Sequence, residues 1–332
     1  MYFTIIAFTF HFLQICLPAH AENVPDFSIH RQYESVRALG MGNAFTASVN
    51  DYNAVLINPA ALARLDGGEV NMAMEFAFDP SIGNFAGKFG DASKEKDQNK
   101  KTAAFMDALK SVYGTPIWGR ANVFQGIWVR PNWGLAVLPM DISIAAEAHN
   151  QVSPQLNLIA RQDTSIVYGY GFDVGWIRKN RLSVGWNVKF VQRSYFGLAI
   201  NTLDLIDDEN ILKNTNALEG ATVDGDLGFL ITPELPAYGI FSLLRLARPT
   251  FSLVVRNVLD WGWTDLNLVD KSKSEPPQKL HRVVDIGSKW EYPNLFIFGG
   301  RGVMDFRDIL HPNINLRKSF HAGFEFDWRM TS

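Results

Sequence analysis

The stretch TSIVYGYGFDVGWIRKNRLSVGWNVKFV, Thr164 to Val191, sets how the rest of the chain is read. In its first half Ile166, Tyr168, Tyr170, Phe172, Val174 and Trp176 share one parity, with Val167, Gly169, Gly171, Asp173 and Gly175 between them. A polar turn, Arg178-Lys179-Asn180-Arg181, follows. Leu182, Val184, Trp186, Val188 and Phe190 then resume the apolar series, opposite Ser183, Gly185, Asn187 and Lys189. Side chains alternate sides along a β-strand, so each series occupies one face of a sheet. One face is broad and aromatic, and the other carries glycine and isolated charges. A soluble sandwich would show an apolar inner face and an outer face rich in Lys, Glu and Thr. The sparse polar face here is the pattern of a wall whose outside meets lipid and whose inside meets water or a plug.

The same two-residue period recurs along the chain. Val70, Met72, Met74, Phe76 and Phe78 alternate with Asn71, Ala73, Glu75 and Ala77. Phe124 and Trp128 lie in a run from Asn122 to Arg130, which Asn132 turns into Gly134 to Glu147. Further runs centre on Leu227 to Ile231, Phe251 to Val255, Val284 to Trp290, Phe296 to Met304, and Ala322 to Trp328. A membrane-crossing strand needs ~9–11 residues, and single-chain barrels have even strand numbers. The length then suits an all-β, transmembrane antiparallel β-barrel of about 12–14 strands. Interior charges (Glu75, Asp141, Asp173, Lys189, Arg256, Asp285, Lys289, Asp305, Glu325 and Asp327) are expected to pair with one another and with Arg31 and Arg37.

The beginning of the chain supplies a compartment. Residues 1–21 read as a cleavable export signal: Ile5 to Leu17 is almost wholly apolar, and Ala19-His20-Ala21 closes it with small residues. The run is shorter than the ~20 apolar residues of a membrane helix, although no Lys or Arg precedes it. Cys16 is the only cysteine, and Ile15 before it does not suit a lipid-modified cysteine. Past the leader there is no thiol for a disulfide or a thiolate metal site. Charge is nearly balanced, 31 Lys and Arg against 34 Asp and Glu, which implies no nucleic-acid partner. An exported, aromatic-rich chain with mean hydropathy of −0.04 belongs in the periplasm or the outer membrane of a Gram-negative cell, and the strand pattern selects the outer membrane.

Three stretches interrupt the pattern. Ala92 to Tyr113 places Ala103, Phe105, Met106, Leu109 and Val112 at helical spacing, and Leu203 to Asn214 reads as a second short amphipathic helix. Pro233 to Arg248 carries Leu243, Leu244 and Leu246. Ser272 to Gln278, with Pro276-Pro277, is a loop. The helices are expected to pack on the rim of the sheet or to form a lid.

Ahead of the first strand run stands Ser35-Val36-Arg37-Ala38-Leu39-Gly40-Met41-Gly42-Asn43-Ala44-Phe45-Thr46-Ala47, then Asn50-Asp51-Tyr52-Asn53-Ala54-Val55-Leu56 and Asn58-Pro59-Ala60-Ala61-Leu62-Ala63. Gly40 and Gly42 allow tight turning or close approach, but Phe45 takes the place of the third glycine in a dinucleotide fingerprint. Asn58 is a good N-cap and Pro59 a good first helical residue, which predicts a short helix over Asn58 to Leu65, ending near Gly67-Gly68. The pattern R-x-x-G-M-G-x-A-F-T-A followed by D-x-x-A-x-x-x-N-P-A-x-L resembles the N-terminus of FadL-type outer-membrane fatty-acid transporters. It is equally similar to PorV-type relatives and TraF-like outer-membrane proteins. The resemblance covers about a tenth of the chain. It implies a 14-stranded barrel with the N-terminal segment folded into the lumen as a hatch, over residues 22–68, with the barrel over 69–332. Arg37, Gly40, Gly42, Phe45, Asp51, Asn58, Pro59 and Leu62 are the hatch or ligand residues on this reading. The chain departs from the family in ending Arg329-Met330-Thr331-Ser332 rather than on an aromatic, and it is shorter than a typical transporter.

Two functions follow from the resemblance. One is transport of hydrophobic small molecules across the outer membrane, with Phe45, Leu56, Leu62, Phe105, Leu109, Leu243 and Leu244 along the route. The other is a non-transporting binding or assembly barrel with a periplasmic or surface protein partner. Membrane lipid is a partner in both, and no cofactor is implied. An enzyme is not expected: His30, His149, His281, His311 and His321 are scattered, none sits in a nucleophile motif, and no metal-ligand spacing links them.

Overall fold

A computed structural model describes residues 35–150, 154–175, 180–201, 218–264, 276–277, 279–295, 298–311 and 315–328. Residues 1–21, expected to be an export signal, Cys16 among them, together with His30, Arg31, Trp176, Phe296 and the helix expected over Leu203 to Asn214, lie outside the described residues.

Alternating sequence becomes one antiparallel sheet of ten strands, paired strictly in chain order. The strands are β1 (Glu69–Phe78), β2 (Ile117–Arg130), β3 (Trp133–Asn150), β4 (Pro154–Val174), β5 (Arg181–Asn201), β6 (Leu218–Thr232), β7 (Thr250–Arg256), β8 (Val283–Leu295), β9 (Phe298–Phe306) and β10 (Phe320–Trp328). Each periodic run of the sequence falls on one of them. Among the described residues there are ten strands where 12–14 were expected of the chain, and β2 to β6 run 14 to 21 residues each. These five are longer than the ~9–11 residues of a minimal membrane crossing. Among the described residues no pairing joins β1 to β10, so the sheet is open by its hydrogen bonds.

In this meander the connections gather at two ends. Among the described residues one end, the loop end, holds 79–116, 257–264, 276–277, 279–282, 307–311 and 315–319. The other, the turn end, holds 131–132, 175, 180 and 233–249. The tightest is the two-residue turn after Arg130, where Asn132 adopts φ +75°. Asparagine tolerates that region better than most residues, which is why the turn falls there.

The two faces of the sheet are inverted relative to a soluble protein. Met72 is 72 % exposed, Phe76 62 % and Phe326 82 %, while Lys189, Asp285 and Asp305 are fully buried. Outward lie Trp128, Ile166, Tyr168, Tyr170, Trp186, Val188, Phe190, Phe251 and Phe324; inward lie Asp163, Asn187, Arg193, Asp226 and Arg256.

Inside the sheet packs the segment 35–64. It consists of α1 (Val36–Gly40), α2 (Ala54–Ile57) and a 3-10 turn (Pro59–Arg64), where a short helix was expected. Ser35 caps α1 by accepting from the Ala38 N–H at 3.1 Å. The apolar residues of this segment, with Ile127, Val129, Ala136, Leu138, Val167, Leu230 and Val303 from the strands, make the main core. A helix that the sequence pattern did not mark, α3 (Ile82–Lys94), precedes α4 (Gln98–Lys110), on which the helical spacing read in 92–113 falls and which Asp97 caps. They form a hairpin at the loop end, where Phe89 and Phe105 meet edge-on at 4.8 Å. Leu109, Val112, Ile117, Ala148 and Leu156 fasten the hairpin to the ends of β2, β3 and β4. Two short helices complete the description, α5 (Ile240–Leu246) at the turn end and α6 (Leu316–Ser319) before β10.

Candidate functional site

The residues singled out in sequence converge on the interface between segment 35–64 and the inner face of the sheet. Its centre is the Asn58-Pro59 pair. Asn58 is fully buried; its Oδ1 accepts from the Ala60 N–H at 3.1 Å and its Nδ2 donates to the Thr46 carbonyl at 2.9 Å. One side chain thus caps the 3-10 turn and ties it to the preceding loop. Pro59 occupies the first position of the turn, where a missing N–H has no consequence.

Around this pair the wall is built from glycines. A Cβ on Gly171 would lie 2.5 Å from the Pro59 carbonyl oxygen, and one on Gly169 would lie 2.9 Å from Val55. A Cβ on Gly185 would overlap the Pro59 and Ala60 backbone, and one on Gly228 would overlap the Asn58 side chain. Gly134 approaches Val55 and Leu62 at 3.1 and 3.3 Å in the same sense. The tight turn after β2 joins in: the Asn132 N–H donates to the Leu62 carbonyl at 2.9 Å, and the Gly171 N–H donates to the Asn132 carbonyl at 2.7 Å. Gly175, grouped with these glycines by sequence, has open space where a Cβ would be.

The other flank is polar. The Arg256 guanidinium donates to the Leu56 and Ile57 carbonyls, both at 2.9 Å, and is paired with Asp285 at 3.3 Å. The Asp305 carboxylate accepts from the Phe45 and Thr46 N–H groups at 2.7 and 2.8 Å. Thr46 and Ser252 place their hydroxyl oxygens 2.8 Å apart. Asn187 Nδ2 donates to the Val55 carbonyl at 3.1 Å and to Asp226, which also receives Lys189 at 2.6 Å. Lys189 and Asp226 are both buried, so their pairing satisfies charges that neither could carry alone.

Arg37 holds the outer corner. It makes two bonds to Glu325 on β10, at 3.0 and 2.9 Å, and reaches Asp51 at 2.7 Å and Asn50 at 2.8 Å. Burial works against its charge, but the hydrogen bonds to Glu325 and Asp51 outweigh that and raise its pKa above the ordinary arginine value. Asp51 also accepts from the Asn53 N–H at 2.9 Å. Phe45, 1 % exposed, lies beneath the Arg37 guanidinium at 5.1 Å. Gly42 adopts φ +60° and a Cβ there would overlap the Ala322 carbonyl on β10, so glycine is required twice over. Gly40 is exposed and touches nothing within reach of a Cβ.

At the turn end the segment leaves a cavity of about 730 Å³. Its lining brings Arg64, Arg181, Arg248, Lys289 and Arg301 together with Asp66, Glu69 and Glu291. Arg64 is anchored by Ser183 at 2.7 Å and Thr232 at 2.8 Å. Burial, and then the neighbouring Arg181, push its pKa down to about 10, with Asp173 opposing. The cavity is therefore lined largely by charged side chains of both signs, with cations in excess. Phe105 and Leu109, expected on a hydrophobic route, are buried in the helical hairpin and its seat at the opposite end. The Leu243 side chain lies outside the described residues, and Leu244 is half-buried on α5.

Of the interior charges expected to pair, Asp141 meets Arg120, Asp173 meets Arg181, Lys289 meets Glu291, and Glu325 meets both Arg37 and Arg301. Glu75 accepts from Gln125 at 3.1 Å, Asp305 serves backbone N–H groups, and the Asp327 side chain is outside the described residues. Thr46, Arg64, Asn187 and Asp226 were not anticipated as parts of the interface. Asp226 was visible as the polar neighbour of Leu227, but nothing local marked it as the partner of Lys189. A comparison with known proteins finds no matching family model, curated protein or solved structure.

Proposed function

We propose that the chain is an outer-membrane β-barrel of FadL- or PorV-like type, held shut by its N-terminal segment and acting as a binding or assembly barrel. The observation that carries this reading is the inverted burial of the strands. A face holding Met72, Phe76, Tyr168, Trp186 and Phe324 in water would be a very large apolar patch. Against acyl chains the same face is at home, and the buried charges face inward as in other lumens. Lipid also forbids open sheet edges, because it cannot hydrogen-bond them. Closing β1 on β10 would remove both edges and give an even, ten-stranded wall. The segment already reaches both sides of that seam, since Arg37 binds Glu325 on β10 and the Tyr52 N–H donates to Glu69 on β1 at 3.1 Å.

Closure favours binding over passage. The segment is attached by buried hydrogen bonds to Arg256 and Asp305 and by backbone approaches that leave little room for sliding, and the cavity beside it is charged. Transport of hydrophobic small molecules is the second reading, favoured by the room that cavity gives the segment to move. The two are separated by a reversible lock. Thr46→Cys with Ser252→Cys replaces two oxygens 2.8 Å apart in a chain whose sole natural cysteine is Cys16. In lipid vesicles, uptake of a fluorescent fatty acid is expected to be absent with the lock reduced or oxidised. Uptake that appears on reduction and stops on oxidation would replace the binding reading with transport.

A further inference from the structure

At the loop end, remote from the charged cavity, the fold brings together three side chains from two connections that are distant in sequence. His281, Asp308 and His311 each offer a donor atom, and these atoms all lie within 4.8 Å of one another. His281 Nε2 is 3.2 Å from Asp308 Oδ1, and the two imidazole rings stand 4.9 Å apart at 68°. We propose that these residues bind a divalent transition-metal ion, zinc by preference, and that the ion clasps the β7–β8 connection to the β9–β10 connection.

Three observations support a built site rather than a chance meeting. First, both carriers are fixed to the sheet. The Ile309 N–H donates to the Val284 carbonyl at 3.0 Å, and the Asp308 N–H donates to Asp285 Oδ1 at 2.8 Å. Asn257 holds the His281 carbonyl from the other connection through its side-chain amide. Second, the His311 N–H donates to the Asp308 carbonyl at 3.1 Å, so a reverse turn sets Asp308 and His311 three residues apart on one side. Asp308 takes φ +53° to make that turn, a conformation most L residues avoid but aspartate accepts. Third, the donor set suits the ion. Two imidazoles and one carboxylate are the ligands of many catalytic and labile zinc sites, with the fourth position left to water or to a partner. All three residues are half-buried, which keeps the site reachable from solvent.

The inference stands apart from what the barrel carries or binds. It is tested by titrating the full-length, metal-stripped protein in detergent with Zn²⁺ by calorimetry, and with Co²⁺ by its visible absorption. One ion per chain is expected, with dissociation constants in the micromolar range or tighter. His281→Gln and His311→Gln should each weaken binding by ~100-fold, and Asp308→Asn by ~10-fold. Zn²⁺ should also shield His281 and His311 of the unaltered protein from diethylpyrocarbonate, a readout that needs no variant. Absence of saturable binding, or binding and protection undiminished in the His281→Gln/His311→Gln double variant, would overturn the proposal.

Discussion

The N-terminal segment is gripped by two flanks of the same sheet, and they grip it differently. Along β3 to β6 the wall is chiefly shaped to it: Gly134, Gly169, Gly171, Gly185 and Gly228 remove side chains where Val55 to Leu62 press closest, with Asn187 and Ser183 adding side-chain hydrogen bonds. Along β7 to β10 the wall is chiefly bonded to it, through Arg256, Asp305 and the Arg37–Glu325 pair, although Gly287 and Gly323 also admit Thr46 and Met41 closely. A shaped contact has no desolvation cost to recover but admits almost no displacement. A bonded contact must replace the hydration of buried charges, and each of its groups is left stranded if its partner departs. The shaped flank therefore sets position, and the bonded flank is where the attachment can be released.

This contrast can be broken by substitution. Arg256→Met should have the largest effect, because it removes a buried cation beside Asp285 and the donor of two segment carbonyls; a loss of about 3–5 kcal/mol is expected from chemical unfolding of the purified protein. Gly185→Val should follow at up to ~3 kcal/mol, since the new Cβ meets backbone that has nowhere to go. If both flanks hold one segment, the Arg256→Met/Gly185→Val double variant should lose less than the sum, and strict additivity would show that they hold separate units. Asp305→Ala, which unpairs the Phe45 and Thr46 N–H groups, should cost about 1–3 kcal/mol. Arg37→Gln removes a partly exposed pair, so about 1 kcal/mol or less is expected, shrinking further at high salt. Gly175→Ala should change the unfolding midpoint by no more than ~0.5 kcal/mol. An effect as large as that of Gly185→Val would show that close approach is not what the glycines provide.

Much of this was legible in the chain. The ten periodic runs are the ten strands, because a period of two needs no tertiary information to be seen. Asn132 and the Asn58-Pro59 cap were readable for the same reason, as local geometry speaks through residue type. Gly169, Gly171, Gly175 and Gly185 stood on the face read as meeting water or a plug, and the first, second and fourth of them do meet segment 35–64. What stayed hidden depends on curvature and register. Gly175 looks like its neighbours in sequence but sits past the end of β4. The pairing of Lys189 with Asp226 follows from the β5–β6 register, which sets Asn187 beside Asp226. His281 and Asp308 meet because β8 and β9 bring their connections to one end, and no spacing along the chain records that. The lengths of β2 to β6 stayed hidden because hydropathy marks where a strand is apolar, not how far it continues beyond that band.

The closeness of Pro59 to Gly171 and Gly185 has a consequence for how the molecule is made. A gap smaller than one methyl group cannot be threaded after its walls are in place. In a sheet closed as proposed above, residues 35–64 would have to be seated while β4 to β6 are still assembling, the segment serving as the mandrel on which the sheet is wound. Its position ahead of β1 makes it the first described part of the chain to be synthesised, in time to play that role.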